Sequence, residues 1–369
     1  MTRLPQTSRL DAQDESVAMA ADAQRLSEPI DDQFTRDVPR SRKKVAVVIP
    51  CFRVRAHILS VINRIGTDVD RVYVIDDLCP EQSGRYVQSQ CHDPRVQVLF
   101  HEVNCGVGGA TITGYRQAVE DGATVIVKID GDGQMDPQLI PRFVTPILRG
   151  ECDYTKGNRF FNPADVQGMP LARLLGNSAL SFFSKLSSGY WLLFDPTNGY
   201  TAIHASLVRA LQLDRIDKRY FFESDMLFRL NLLRALIVDI PMKAIYGTEK
   251  SNLSLSHASV SFLFKHIANF RKRLVYTYLL RDFSIASLEL IAGSIILLWG
   301  ICFGLFNWYQ SFHTGTPASS GTVMLSALPI ILGIQLLLGF LAFDIAAQPR
   351  TAIHPRLEAL EAVEQSSVQ

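Results

Sequence analysis

Two apolar runs near the C-terminal end constrain this chain more than any other feature. Ser284 to Phe306 is apolar except for Glu289 near its start, and Val323 to Phe343 carries Gln335 as its strongly polar interruption. At about 1.5 Å of rise per residue, each run is long enough to cross the roughly 30 Å of a bilayer's hydrocarbon core as a helix. The expectation is two transmembrane helices, at 284–306 and 323–343, inside a membrane segment of 284–345.

Charge gives the pair an orientation. Lys265, Arg271, Lys272, Arg273 and Arg281 precede the first run, and Arg350 and Arg356 follow the second. The connecting "NWYQSFHTGTPASSGT" has neither Lys nor Arg. The positive-inside rule then predicts a multi-pass protein of the inner (cytoplasmic) membrane, with its large N-terminal head and both termini cytoplasmic. Residues 346–369 read as a cytoplasmic tail. Residues 256–283 include "SVSFLFKHIANFRKRLVYTYLLRDF", whose aromatic and basic residues suit an amphipathic segment at the headgroup level. A helix packed on the head suits them equally, and the two are compatible.

Residues 1–42 mix both charge signs with few large apolar residues and contain no hydrophobic segment. They read as a disordered tail rather than a secretory signal. A formal charge of +1 supplies no basic field, which speaks against nucleic acid as a partner. The six cysteines form no C-x-x-C pair and no zinc spacing, so reduced thiols are expected.

From Lys43 to about 255, short β-rich runs alternate with helical ones. "VAVVIPCF", "DRVYVIDD", "RVQVLFHE" and "TVIVKIDGDG" read as strands, with "AHILSVINRI" and the Gly-rich "NCGVGGATITGYRQAVEDG" as helical connections. That alternation predicts a mostly parallel α/β sheet with helices on both faces. Ligands of such sheets bind beyond the carboxyl ends of the strands. Three candidate groups fall there: Pro50-Cys51, Asp76-Asp77 and Asp130-Gly131-Asp132. A D-x-D pair alone is weak, but "DGDGQMDP" adds the amide oxygen of Gln134. Carboxylate and amide oxygens suit hard Mg²⁺ or Mn²⁺, and the lack of His or Cys in the string argues against zinc.

"AVVIPCF", "VYVIDD", "NCGVGGA" and "KIDGDGQMDP" together resemble, in order and spacing, the family 2 glycosyltransferases of GT-A fold. Dolichol-phosphate mannose synthases and bacterial polyprenyl-phosphate glycosyltransferases are the most similar members, and the resemblance covers roughly Lys43 to Ser254. It implies a GT-A Rossmann-like, mostly parallel mixed sheet, followed here by the interfacial helix and two transmembrane helices. It also implies that Pro50, Asp76, Asp77, Gly106, Gly108, Asp130 and Asp132 border a nucleotide-sugar donor (a UDP- or GDP-sugar). Asp130, Asp132 and Gln134 would ligate the Mg²⁺ or Mn²⁺ that bridges its diphosphate.

Further matches follow the same resemblance. "KGNRFF" and "RLLGN" place Arg159 and Arg173 near phosphate, and "FDPTNGYTAI" places Asp195 and Asn198 on the acceptor side. "YFFESDMLFRLN" offers Glu223 or Asp225 as the base wherever the acceptor is a hydroxyl; a phosphate acceptor, already ionised near pH 7, needs none. Two departures stand out. "CFRVRAHI" replaces the family's Asn-Glu pair after the first strand. "MKAIYGTEKSN" has Ala244 where an Arg is expected, leaving Lys243 or Lys250 to supply the charge. A Q-x-x-R-W string, the mark of processive synthases, is absent.

The implied activity is inverting transfer of one sugar from the nucleotide donor to a polyprenyl (dolichyl or undecaprenyl) phosphate at the cytoplasmic face of the bilayer. One alternative elongates a lipid-linked oligosaccharide or surface-polysaccharide precursor. Another, of a different class, is an inactive membrane scaffold or nucleotide-sugar sensor, against which the intact Asp130, Asp132, Gln134 and Asp225 count. A homo-oligomer is compatible with the sequence.

Overall fold

The computed structural model describes residues 43–161, 171–243 and 255–367. These divide into two compact units: Arg271–Gln348, and a head that runs to Phe270 and resumes at Pro349.

The head is built on a seven-stranded sheet. Its strands are β1 (Val45–Cys51), β2 (Arg71–Asp76), β3 (Val96–Phe100), β4 (Val125–Lys128), β5 (Tyr154–Asn158), β6 (Thr201–His204) and β7 (Ile237–Pro241). They lie in the order β3-β2-β1-β4-β6-β5-β7. Only β6 opposes its neighbours, β4 and β5, so the sheet is mixed and mostly parallel. The helices are α1 (Ile58–Asn63), α2 (Ser83–Gln90), α3 (Gly106–Glu120), α4 (Ile140–Leu148), α5 (Leu171–Ser188), α6 (Ala205–Ala210), α7 (Phe222–Leu232) and α8 (Leu255–Leu274).

Both faces of the sheet are covered, which is why its central strands read as unbroken apolar runs. Val45, Val47 and Ile49 of β1 share one core with α1 and with Phe143 of α4. Ala46 and Val48 face the other core, with Tyr115 of α3 and Met226 of α7. The chain leaves β1 towards β2 and β3, then returns through α3 to β4 on β1's other side. That reversal opens a crevice beyond the carboxyl ends of β1 and β4.

The segment after Pro349 is more than the tail its composition suggests. It forms α11 (His354–Ser367; α9 and α10 lie in the other unit), and its residues Ile353 and Leu357 pack against the second core. The backbone N–H groups of Ile353 and His354 donate to the fully buried Asp153 at 2.8 and 2.7 Å, and Leu236 donates to the same carboxylate at 2.7 Å. Arg209 grips Glu361 with two bonds of 2.8 and 2.6 Å. A buried carboxylate needs such donors, and the chain beyond the apolar runs supplies two of them.

The second unit holds α9 (Ile285–Thr314) and α10 (Ser320–Ala346), two helices long and apolar enough to cross a membrane. Both extend past the apolar runs. Gly315, at φ 65°, stops α9 in the left-handed conformation open to glycine, and the Ser319 hydroxyl caps α10 by accepting from Thr322 N at 3.2 Å. Glycines bring the pair together: a Cβ at Gly333 would lie 2.7 Å from Leu297. A seven-residue π-helical turn, Val275–Arg281, precedes α9. Nearby, Arg273 forms two bonds with Asp344 at 2.6 and 2.9 Å, both side chains being buried.

Candidate active site

A cavity of about 930 Å³ opens at the crevice between β1 and β4. Pro50, Cys51 and Phe52 form one wall; Lys128, Asp130, Gly131 and Asp132 form the floor; Thr197, Gly199, Arg219, Glu223 and Ser224 close the far side. Residues distant in sequence meet here because the ends of β1 and β4, the loop before β6 and the start of α7 converge on the crevice.

At the end of β2 the two aspartates are bound to their own frame. Asp76 accepts from Cys79 N and Gly84 N, each at 2.7 Å, and is absent from the cavity wall. Asp77 lines the cavity, yet its oxygens accept from Cys105 N and Gly106 N at 2.7 Å, with His101 Nδ1 at 2.8 Å. Gly106 opens α3 at φ 83°, and a side chain there would meet the Lys218 carbonyl at 2.5 Å. Gly108 lies outside the wall and packs instead under Asp217 and Phe222.

At the end of β4 the arrangement differs. Lys128, with a side chain 1% exposed, donates to Asp130 Oδ1 at 2.9 Å, to Gly199 O at 3.2 Å and to Glu223 Oε1 at 3.2 Å. Burial works against its charge, but Asp130 and Glu223 outweigh that and hold the ammonium above the usual lysine value. Asp132 Oδ1 accepts from Gln134 N at 2.9 Å. Gln134 is half-buried and outside the cavity wall, so the amide expected as a metal ligand is represented here by its backbone.

Of the four carboxylates that line the cavity, Asp77 is bound to backbone N–H groups and Glu223 to Lys128, which leaves Asp130 and Asp132 as an all-oxygen donor set beside Gly199. An added Cβ at that position would lie 2.8 Å from Asp130 Oδ2. A hard divalent cation suits these oxygens. The chemistry of Asp130 and Asp132 therefore fits Mg²⁺ or Mn²⁺. A second cluster, Asp77, His101 and Cys105, also lies within reach of one ion. Its carboxylate and imidazole are already hydrogen-bonded within the head, the imidazole to Thr113 Oγ1 at 2.9 Å as well.

On the acceptor side, Arg159, Asp195 and Asn198 come together but outside the cavity wall. Asp195, 1% exposed, takes Arg159 Nε at 2.7 Å and Nη2 at 3.0 Å. Asn198 turns its carbonyl to the ammonium of Lys156, which burial pushes down to about 8. Glu223 lines the cavity, whereas Asp225 does not: it accepts from Asp217 N, Arg229 Nε and Asn269 Nδ2 at 3.0, 3.1 and 2.9 Å. Lys250 lies outside the described residues, and Arg173 is placed by the backbone of α5 alone.

Sequence reasoning passed over Lys128, Lys156 and Arg219. A lysine inside a buried strand was the available signal for the first two, since such a charge must find partners. Arg219 sits in a loop with no pattern to single it out.

Residues 46–212 match Glycosyl transferase family 2. UDP-N-acetylglucosamine–dolichyl-phosphate N-acetylglucosaminyltransferase of Methanococcus voltae is 30% identical over 234 residues, which is 60% of this chain and 92% of that protein. Undecaprenyl-phosphate mannosyltransferase of Micrococcus luteus is 32% identical over 203 residues, 54% of this chain and 82% of that protein. Among solved structures, glucosyl-3-phosphoglycerate synthase of Mycobacterium tuberculosis superposes with a TM-score of 0.48 at 18% identity, covering 64% of this chain and 86% of that one.

Proposed function

The chain belongs to glycosyl transferase family 2, and on that premise we propose that it moves one sugar from a UDP- or GDP-sugar to a polyprenyl phosphate at the cytoplasmic face of the inner membrane. The observation that carries the reading is a pair of cavity carboxylates, Asp130 and Asp132, in a head whose chain continues through two membrane-length helices. The relatives named above act on dolichyl and undecaprenyl phosphate, which supports a lipid acceptor.

In this reading Asp130 and Asp132 seat Mg²⁺ or Mn²⁺, which when bound supplies positive charge to the departing diphosphate. Arg219, exposed in the cavity wall, contributes a guanidinium to the same phosphates. The lipid phosphate attacks the anomeric carbon from the face opposite the nucleotide. The bond to the nucleotide breaks, its electron pair leaves with the diphosphate, and the configuration inverts. No proton has to be removed from the nucleophile. Glu223 is instead engaged in an ion pair with the Lys128 ammonium at 3.2 Å.

The head resumes after the two helices, so both ends of the apolar unit return to it. That continuity and the flanking basic residues support a hairpin with both ends cytoplasmic. Holding the head at the bilayer confines its search for a lipid acceptor to a plane.

Membranes carrying the full chain, incubated with a panel of radiolabelled nucleotide sugars, provide the test. Label in a mild-acid-labile lipid fraction that grows with added polyprenyl phosphate is expected. Label that appears only when a lipid-linked oligosaccharide is supplied would instead assign a hydroxyl acceptor, with Glu223 as its base.

A further inference from the structure

The floor of the cavity already contains a cation that belongs to the protein. The three protons of the Lys128 ammonium meet three acceptors, Asp130 Oδ1, Gly199 O and Glu223 Oε1, at 2.9, 3.2 and 3.2 Å. Its position is reserved by the glycine beside it: an added Cβ at Gly199 would lie 2.6 Å from Lys128 Nζ. The ammonium therefore stays where two acids of the cavity converge, and the side chain has no second place to go in a buried strand end.

We propose that Lys128 is a positioning residue that acts as a fixed cation beside the divalent ion, holding Asp130 by one oxygen and filling the space between Asp130 and Glu223 that an ion would otherwise take. This rests on the reading of Asp130 and Asp132 as the ion's seat. With Oδ1 bound to the ammonium, Asp130 presents Oδ2, which among the described residues has no hydrogen-bond partner. The ammonium also repels a divalent ion nearby. The empty protein then holds the ion weakly, and the diphosphate of the donor supplies the negative charge that completes the seat. Weak holding without nucleotide lets the ion leave with the product. Glu223, neutralised by the same ammonium, is kept from drawing the ion out of line.

A purely structural lysine and a charge-setting one predict opposite results. In Lys128→Met the length of the side chain is kept and the positive charge is lost. Binding of Mn²⁺ alone to the full chain in detergent, followed by the spin-resonance signal of the free ion, is expected to tighten about tenfold or more. Transfer should nonetheless slow by about a hundredfold, because Asp130 is no longer held in register. In Lys128→Met/Glu223→Gln, where one acid is neutralised with the lysine, Mn²⁺ affinity should return to within about threefold of the parent. Thermal melting of each variant reports whether it folds.

Mn²⁺ binding in Lys128→Met that is unchanged or weaker overturns the proposal. So does a double variant that binds tenfold or more tighter than the parent, and this second comparison decides the matter if the single variant fails to fold. Asp132→Asn separates this from the underlying reading. If it binds Mn²⁺ as tightly as the parent, the ion is not seated at Asp132 and both readings fall together.

Discussion

The ends of β2 and β4 carry the same residue type in nearly the same place, yet they do different work. At β2, Asp76 accepts from backbone N–H groups of the turn that follows, and Asp77 from those at the start of α3. At β4, Asp130 gives one oxygen to a buried lysine, and both Asp130 and Asp132 face the cavity. A carboxylate whose acceptor positions are filled by the frame holds a loop in shape; one that keeps an oxygen towards a cavity can hold a ligand. Sequence position alone does not tell these apart, because the deciding donors come from elsewhere in the chain.

Substituting the two ends should therefore break different properties. Asp132→Asn is expected to lower transfer by about a thousandfold, since it removes a negative ligand from the seat of the cation. Its melting midpoint should stay close to that of the parent. Loss of folding in place of catalysis would erase the distinction between the two strand ends. Asp76→Ala should show the converse. It leaves two backbone N–H groups near the buried end of β2 without an acceptor, at a cost of about 3 kcal/mol. A clear fall in the melting midpoint is expected, with transfer by the folded fraction retained. Transfer abolished at an unchanged midpoint would move Asp76 into the donor site.

Much of this was legible in the sequence, and what was not has a common cause. The first four strands, the crevice acids and the two apolar helices follow from local periodicity, hydropathy and spacing; β5, β6 and β7 carry no comparable signal. The pairing of Lys128 with Glu223 joins positions 95 apart, and that of His354 with Asp153 joins positions 201 apart. No local pattern encodes such contacts, so α11 read as a tail and Lys128 as an ordinary strand residue. Arg159 was read from the resemblance of "KGNRFF" to a family motif; its pairing with Asp195 became visible only when β5 and the loop before β6 were brought together.

The smallest expected effect concerns α11, where a third group of acids serves the frame. His204 stacks on His354 with ring centroids 4.2 Å apart and meets Glu358 at 3.3 Å. Burial lowers the proton affinity of the His204 imidazole, and its hydrogen bond to Glu358 lowers that of the carboxyl. Both groups take up protons more readily when unfolded. The unfolded segment therefore gains protons first as pH falls, through His204 from about 6.5 downward and through Glu358 near 4. Amide exchange in α11, corrected for its intrinsic pH dependence, should be modestly faster at pH 5 than at pH 7. Equal protection at both values would remove His204 and Glu358 from the docking of this helix.

The central claim, that Asp130 and Asp132 seat a divalent cation for transfer to a lipid phosphate, is tested most directly by chelation. Vesicles containing the full chain, polyprenyl phosphate and the labelled sugar donor identified by the panel would be assayed with excess chelator and after return of Mg²⁺ or Mn²⁺. Chelation should abolish labelling of the lipid, and the returned ion should restore it in the parent but not in Asp132→Asn. Full labelling in excess chelator would contradict the claim.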